Sequence, residues 1–310
     1  MPPQKATAWS TTQSLRCSRR QLHRKLCVVD QAVAFCGGIN ILDDLHDPNH
    51  GALDSPRFDF SVRVTGPLVA QVHETMALLW QRMKPFHAEA GRLRGALFAR
   101  PAATAVPAMG QAPAPEPAHA HAGLVLRDNL RHRARIEQAY RREIGHAREE
   151  ILIANAYFVP GRKMRQALIS AAHRGVRVQL LLQGRYEYFL QYYGARPVYG
   201  ALLRAGVEIH EYAPSFLHAK VAVVDGRWAT VGSSNLDPLS LLLAREANVM
   251  VQDASFARHL REALLAAIRD HGVALDPKVF AARSLMQRAR ERVALVVMRL
   301  ALALQGHKYL

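Results

Sequence analysis

The sequence predicts an α/β fold of two pseudo-symmetric halves, mixed sheets flanked by helices, with the first half incomplete. Three observations predict it. Half of the 310 residues are hydrophobic and mean hydropathy is -0.07, which supplies a sizeable core and excludes wholesale disorder. Residues 131–212 alternate helix-period and strand-period segments. One segment is repeated: 22–40 reads LHRKLCVVDQAVAFCGGIN and 217–235 reads LHAKVAVVDGRWATVGSSN. At roughly 100–200 residues per domain, the length fits two domains or one pseudo-symmetric unit.

The two copies share one template without a gap. His23, Lys25, Asp30, Gly37 and Asn40 of the first correspond to His218, Lys220, Asp225, Gly232 and Asn235 of the second, at a constant offset. Val-Val-Asp after each lysine predicts a strand, and Ala34–Cys36 and Ala229–Val231 predict its hairpin partner. Alternation puts His and Lys, two apart, on one strand face. The glycines let backbone approach a ligand closely. Downstream, Asp59 and Glu246 each open an alternating strand pattern. The gap from Asn to acid is longer in the first half, which predicts an extra loop around Asp43–Pro56.

The remaining elements follow in order. Val69–Phe86 predicts a helix with Val72, Met76, Leu79 and Met83 on one face. Residues 101–123 are Pro/Ala-rich and predict an extended linker. Then come a helix (Arg131–Ala147), a strand (Glu150–Asn155), a helix (Gly161–Arg174), a strand (Val176–Gln183), a helix (Pro197–Ala205) and a strand (Val207–Tyr212). Beyond Pro277, residues 284–304 predict a helix with Arg288, Arg292 and Arg299 close together on its wheel, suited to an anionic leaflet. The expected organisation is therefore 1–100 for the first half, 101–123 for the linker, 124–276 for the second half and 277–310 for an amphipathic helical tail. About 90 residues precede the His-Lys strand in the second half and only 22 precede His23, so symmetry leads us to expect a first half shortened at its N-terminus.

Lys and Arg number 41 against 25 acids, a net charge of +16 that favours polyanions: nucleic acid, an anionic membrane or phosphorylated substrates. Cys17, Cys27 and Cys36 are odd in number and show no metal spacing, so neither a disulfide framework nor structural zinc is expected. The patterns predict no secretory signal and no transmembrane helix. One copy of the template gives an imidazole, an ammonium and an amide. Two copies facing each other suit a phosphodiester, which needs its non-bridging oxygens neutralised while one group attacks phosphorus and another protonates the leaving oxygen.

The paired His-x-Lys-x4-Asp copies with downstream Gly-Gly/Ser-x-Asn resemble the phospholipase D superfamily. The stretches NAYFVPGRKMRQALISAAHRGVRVQLLLQG and SFLHAKVAVVDGRWATVGSSNLDPLSLLLAREANV are similar to bacterial cardiolipin synthases of the shorter B type. The resemblance implies a catalytic set of His23, Lys25, Asp30, His218, Lys220 and Asp225. In it His23 and His218 are nucleophile and general acid/base, in that order, while the two aspartates pair with nearby backbone or basic groups. It implies phosphate binding by Lys25, Lys220, Asn40 and Asn235, with Ser233 supporting the site and Gly38 in its place in the first copy. Asp59 and Glu246 would orient the imidazoles. It implies no cofactor and no metal. The expected reaction is transfer of a phosphatidyl group between two phosphatidylglycerols through a phosphohistidine, releasing glycerol. The expected setting is peripheral, on the cytoplasmic face of a bacterial inner membrane, with anionic phospholipid as partner rather than nucleic acid. A phospholipase D-type phosphodiesterase (lipid hydrolase or nuclease) and an inactive membrane-binding fragment are the alternatives.

Overall fold

Both copies of the repeat fold as hairpins. The structure, a computed structural model, describes residues 21–47, 50–94, 120–128, 132–185, 189–237 and 244–304. The first part of the chain contains β1 (Gln21–Leu22), β2 (Lys25–Val29), β3 (Val33–Gly37), β4 (His46–Asp47), β5 (Gly51–Ala52), β6 (Ser61–Thr65) and α1 (Leu68–Arg94). Next come β7 (His121–Arg127), α2 (Arg135–His146), β8 (Glu150–Asn155), α3 (Arg162–His173), β9 (Arg177–Gln183), α4 (Phe189–Arg204) and β10 (Glu208–Tyr212). The chain continues with β11 (Lys220–Val224), β12 (Trp228–Gly232), β13 (Ala244–Gln252), α5 (Ala254–His271), β14 (Gly272–Ala274), α6 (Pro277–Ala281) and α7 (Leu285–Leu304).

Among the described residues, the large sheet runs β1-β13-β12-β11-β8-β9-β10-β14, with β7 also pairing β13. It is mixed: β8, β9 and β10 are parallel, whereas β11 is antiparallel to both β8 and β12. The parallel part is buried on both faces, so its strands read as continuous apolar runs. Alternate residues of β8 feed different layers. Ile151 and Ile153 pack under α2, α3 and α4, while Leu152 and Ala154 face the opposite layer.

That opposite layer joins the two copies of the repeat. Ala34 and Cys36 of β3, Val62 and Val64 of β6, and Val69 and Val72 of α1 share one apolar cluster with Val221, Val231 and Val249 of the large sheet. Each fully buried side chain of this size contributes on the order of 1.5–3 kcal/mol, so the first part of the chain is held on a common core.

The hairpins are equivalent in register but not in surroundings. Lys25 pairs with Gly37 through Val29 with Val33, and Val221 pairs with Val231 through Val224 with Trp228. Strand β11 has β8 on its other edge and is buried throughout, whereas β2, among the described residues, pairs only with β3 and leaves Val29 exposed.

Several boundaries differ from the sequence pattern. The strand 150–155 and the helices and strands around it agree to within about one turn. Helix α4 begins at Phe189, eight residues before Pro197, and carries that proline inside it. A proline there removes one helical bond, but the preceding turns are held by packing, with Gly194 against Met298 of α7 and Arg196 stacked on Tyr192 and Tyr199. Strand β7 starts at His121, inside the segment read as linker, because its backbone ladders onto β13 from Gln252 onward. Residues 101–119 of that linker, residues 1–20 and residues 305–310 of the tail lie outside the described residues. The loop at 43–56 contains the β4–β5 ribbon, fixed by an ion pair of 2.6 Å between Arg57 and Asp47. Strands β1 and β14 had no sequence signal, being two and three residues long. Cys27 and Cys36 are free thiols; Cys36 is buried, which pushes its pKa up to about 12.

Candidate active site

Two short backbone bridges set the geometry. The His23 amide donates to the Arg245 carbonyl at 3.1 Å, where β1 runs parallel to the start of β13. The His218 amide donates to the Phe58 carbonyl at 2.9 Å, and the Phe58 amide to the Phe216 carbonyl at 3.0 Å. Each histidine is therefore stitched beside the acid that follows the other copy.

The side chains complete the exchange. His23 Nδ1 lies 3.1 Å from Oε2 and 3.0 Å from Oε1 of Glu246, a carboxylate that is fully buried. His218 Nδ1 lies 2.6 Å from Oδ2 of Asp59. With Nδ1–H donating to a carboxylate in both, each ring presents Nε2 to a ligand, the tautomer that an attacking or proton-transferring imidazole needs. The family resemblance paired Asp59 and Glu246 with imidazoles; the fold crosses them between the copies.

The lysines take the same posture in both copies. Lys25 Nζ donates to the His23 carbonyl at 2.9 Å, and Lys220 Nζ donates to the His218 carbonyl. Lys220 is completely buried. Burial lowers the Lys25 pKa, with Glu246 and then Asp59 opposing the drop. Burial also depresses His218, to about 4; Lys220 and Lys25 add to the fall while the hydrogen bond and charge of Asp59 resist it. That Lys25 feels both carboxylates and His218 feels both ammonium groups ties the two copies into one electrostatic site.

Gly38 and Ser233 occupy equivalent positions with different solutions. Ser233 Oγ donates to Glu246 Oε2 at 2.5 Å and accepts from the Ala247 amide at 3.1 Å. At position 38 a Cβ would collide with the Asp59 carboxylate. The shorter acid fills that space and takes a backbone donor instead, the Phe60 amide at 2.8 Å from Oδ1. Gly232 is also required bare, since a Cβ there would run into the Asn248 side chain.

The remaining sequence candidates divide. Asn235 is buried near Ser233, whereas Asn40 is exposed and lines a groove of ≈ 870 Å³ with Lys25, Arg24, Leu26, Phe35 and Ile39. Asp225 is not brought to the histidines. It sits in the β11–β12 turn at φ 50°, and its carboxylate accepts the amides of Arg148, Glu149 and Glu150, each at 2.9 Å. Asp30 occupies the matching β2–β3 turn, also at φ 50°, and is exposed. Both stand at the far end of a five-residue strand, about 17 Å from its start, where Asp225 holds backbone amides and Asp30 forms the matching turn.

Sequence reasoning missed Arg24, Asn155 and Asn248. Arg24 donates from Nε to the Glu246 carbonyl at 3.1 Å and from Nη2 to the Arg127 carbonyl at 3.0 Å, pinning the His23 segment to β13 and β7. Asn155 accepts the Leu236 amide at 3.1 Å, and Asn248 donates to Thr230 at 3.1 Å; both are buried beneath the second copy. None falls on a repeated position, so the template carried no signal for them. Among the described residues no group of three or more His, Cys, Asp or Glu could hold a metal ion, and no helix is long and apolar enough to cross a membrane.

Residues 140–267 match the family model described as "Cardiolipin synthase, PLD-like domain". Over 254 residues the chain is 39% identical to "Cardiolipin synthase B" of Escherichia coli (strain K12), covering 79% of this chain and 55% of that protein. It is 28% identical over 278 residues to "Cardiolipin synthase A" of Klebsiella pneumoniae, covering 87% of this chain and 52% of that one. The chain thus spans about half the length of these curated relatives. Among solved structures, phosphatidylserine synthase of Haemophilus influenzae Rd KW20 aligns at a TM-score of 0.60 and 14% identity over 93% of this chain and 70% of that chain, a likeness of fold. On these matches the chain is similar to cardiolipin synthases, and residues 140–267 carry the PLD-like domain described for that family.

Proposed function

We propose that the chain transfers a phosphatidyl group from one phosphatidylglycerol to another through a phosphohistidine. The observation that carries this reading is the crossing of two His–carboxylate pairs between the copies, around Lys25 and Lys220. The relatives named cardiolipin synthase support the substrate class.

The burial of His218 favours it as the attacking group, the reverse of the order implied by the family resemblance. With its pKa depressed to about 4 the ring is neutral at pH 7, and Nε2 keeps its lone pair. Nε2 attacks the phosphorus of the first phosphatidylglycerol. A P–N bond forms, the P–O bond to glycerol breaks, and His23 gives its Nε2 proton to the departing glycerol oxygen. His23 then takes the proton from a glycerol hydroxyl of the second phosphatidylglycerol. That oxygen attacks phosphorus, the P–N bond breaks and cardiolipin leaves. Lys25, Lys220, Asn40 and Asn235 hold the non-bridging oxygens, an electrostatic contribution. No cofactor enters this scheme. Its setting is the anionic inner-leaflet surface of a bacterial membrane.

One observation favours a second reading. The groove at Lys25 and Asn40 is open to solvent, so water competes with the second lipid, and hydrolysis would give phosphatidic acid. Incubating the purified chain with phosphatidylglycerol vesicles and analysing the extracted lipid separates the two. Cardiolipin with equimolar glycerol is expected. Phosphatidic acid alone would make the chain a hydrolase. Neither product, or identical products from the His218→Ala variant, would end the proposal.

A further inference from the structure

Helix α7 has a second face that its packing leaves uncovered. Its inner face, with Ala294 and Met298, is buried against α4. Its outer face carries Leu285, Met286, Val293, Val296, Val297 and Leu300, all exposed, from 44% for Val297 to 82% for Leu285. At about 100° per residue these six fall within one arc of roughly 120°. Arg288, Arg292 and Arg299 border the arc on one side and Arg290 on the other.

A cleft lies beside the start of this helix. Helices α4, α6 and α7 enclose ≈ 300 Å³ lined by Arg204, Arg283, Arg288 and Arg292, with Glu291 as the acid among its lining residues. That acid is already neutralised by Arg283 at 2.6 Å. The lining is strongly positive, of a size to take a phosphate, and set at the edge of the apolar arc.

We infer that this face is the docking surface for an anionic phospholipid bilayer. The six aliphatic side chains enter the acyl boundary, and the arginine cleft takes a lipid phosphate at headgroup level. A nucleic acid would satisfy the arginines but gains nothing from a 120° aliphatic arc. A second copy docked across a two-fold axis would set Arg288 and Arg292 against a like-charged rim. A leaflet of anionic lipid matches both halves of the pattern. The site shares no lining residue with the groove at Lys25, which belongs to the β2-β3-β6 sheet. The inference rests on the reading of the substrate as a membrane lipid, but not on which reaction follows.

Vesicle flotation of the full chain tests it, in the cold and at short times to limit turnover. Wild-type protein is expected to float with phosphatidylglycerol-containing vesicles and to lose most binding on pure phosphatidylcholine or in high salt. At about 1 kcal/mol per basic residue, Arg288→Gln with Arg292→Gln should weaken binding about 20–30-fold. Val293→Ser, Val296→Ser and Leu300→Ser together should weaken it at least about tenfold. Val296→Trp should blue-shift and be quenched by brominated acyl chains. Unchanged flotation of the serine variant, or an unquenched tryptophan on floated protein, overturns the inference. So does a serine variant that turns a dimer into a monomer while still floating, which would make this face a contact between copies. Failure to turn over a soluble short-chain phosphatidylglycerol would defeat the transfer reading and leave the flotation result standing.

Discussion

Gly38 and Asp59 are a matched pair, as are Ser233 and Glu246. In the first the bare glycine leaves room for the Asp59 carboxylate, and in the second the Ser233 hydroxyl bonds the longer Glu246. Gly38→Ser, which would make the first copy look like the second, therefore drives a side chain into the Asp59 carboxylate. We expect a loss of about 1–3 kcal/mol in urea unfolding and a fall in turnover larger than the change in KM, because Asp59 is displaced from His218. A G38S protein as active and as stable as wild type would show that the carboxylate has room we do not see. His218 gives a second expectation. Its pKa is depressed from 6.5 to about 4 in the folded protein, so between those values the unfolded chain binds more protons. Stability from this group is present above pH 6.5 and is lost as pH falls toward 4. The loss is on the order of 2–3 kcal/mol, and His218→Asn should flatten that part of the pH–stability curve. An unchanged curve in the variant would place the titration elsewhere.

At the scale of elements, the strand that begins at Lys220 is anchored at the end remote from the histidine. Asp225 gathers three backbone amides from the segment leading into β8, and the Asp225 amide itself donates to the Glu150 carbonyl at 2.9 Å. The β11–β12 hairpin is thereby fixed to its neighbour strand. Asp225→Ala leaves those amides without their acceptor. We expect about 2–3 kcal/mol of destabilisation, read by thermal and urea unfolding, with the loss of function following the loss of fold rather than a displaced pH profile. An Asp225→Ala protein of normal stability but shifted pH optimum would return this residue to the chemistry. The equivalent strand β2 lacks such a neighbour among the described residues, which is why the same template yields a buried strand in one copy and a half-exposed one in the other.

For the whole molecule, the defining feature is that neither copy is self-sufficient. Glu246 serves His23 and Asp59 serves His218, across separations of 223 and 159 residues. This arrangement predicts a pattern in double-mutant cycles of kcat/KM. Glu246→Gln and His23→Ala should be strongly non-additive, since the acid acts through the ring it holds; Asp59→Asn and His218→Ala should behave likewise. Additive effects within either crossed pair would mean that the carboxylates act by another route. The shared apolar layer makes the crossing possible, because among the described residues it is where β3, β6 and α1 bury Ala34, Val62, Val64 and Val72.

Sequence alone determined what depends on local pattern and on repetition. The apolar runs of β8, β9 and β11, the helical spacing of α2 and α3, and the paired template with His23, Lys25, His218 and Lys220 could all be read without coordinates, because each is encoded within a few neighbouring residues. The tertiary structure decided what depends on partners distant in the chain. It set which acid orients which histidine, the turn role of Asp225, the continuation of α4 through Pro197, the strand at His121 and the uncovered face of α7. Those outcomes arise where backbone ladders and packing surfaces from remote segments meet, and their free energies outweigh the local preferences that a sequence pattern reports.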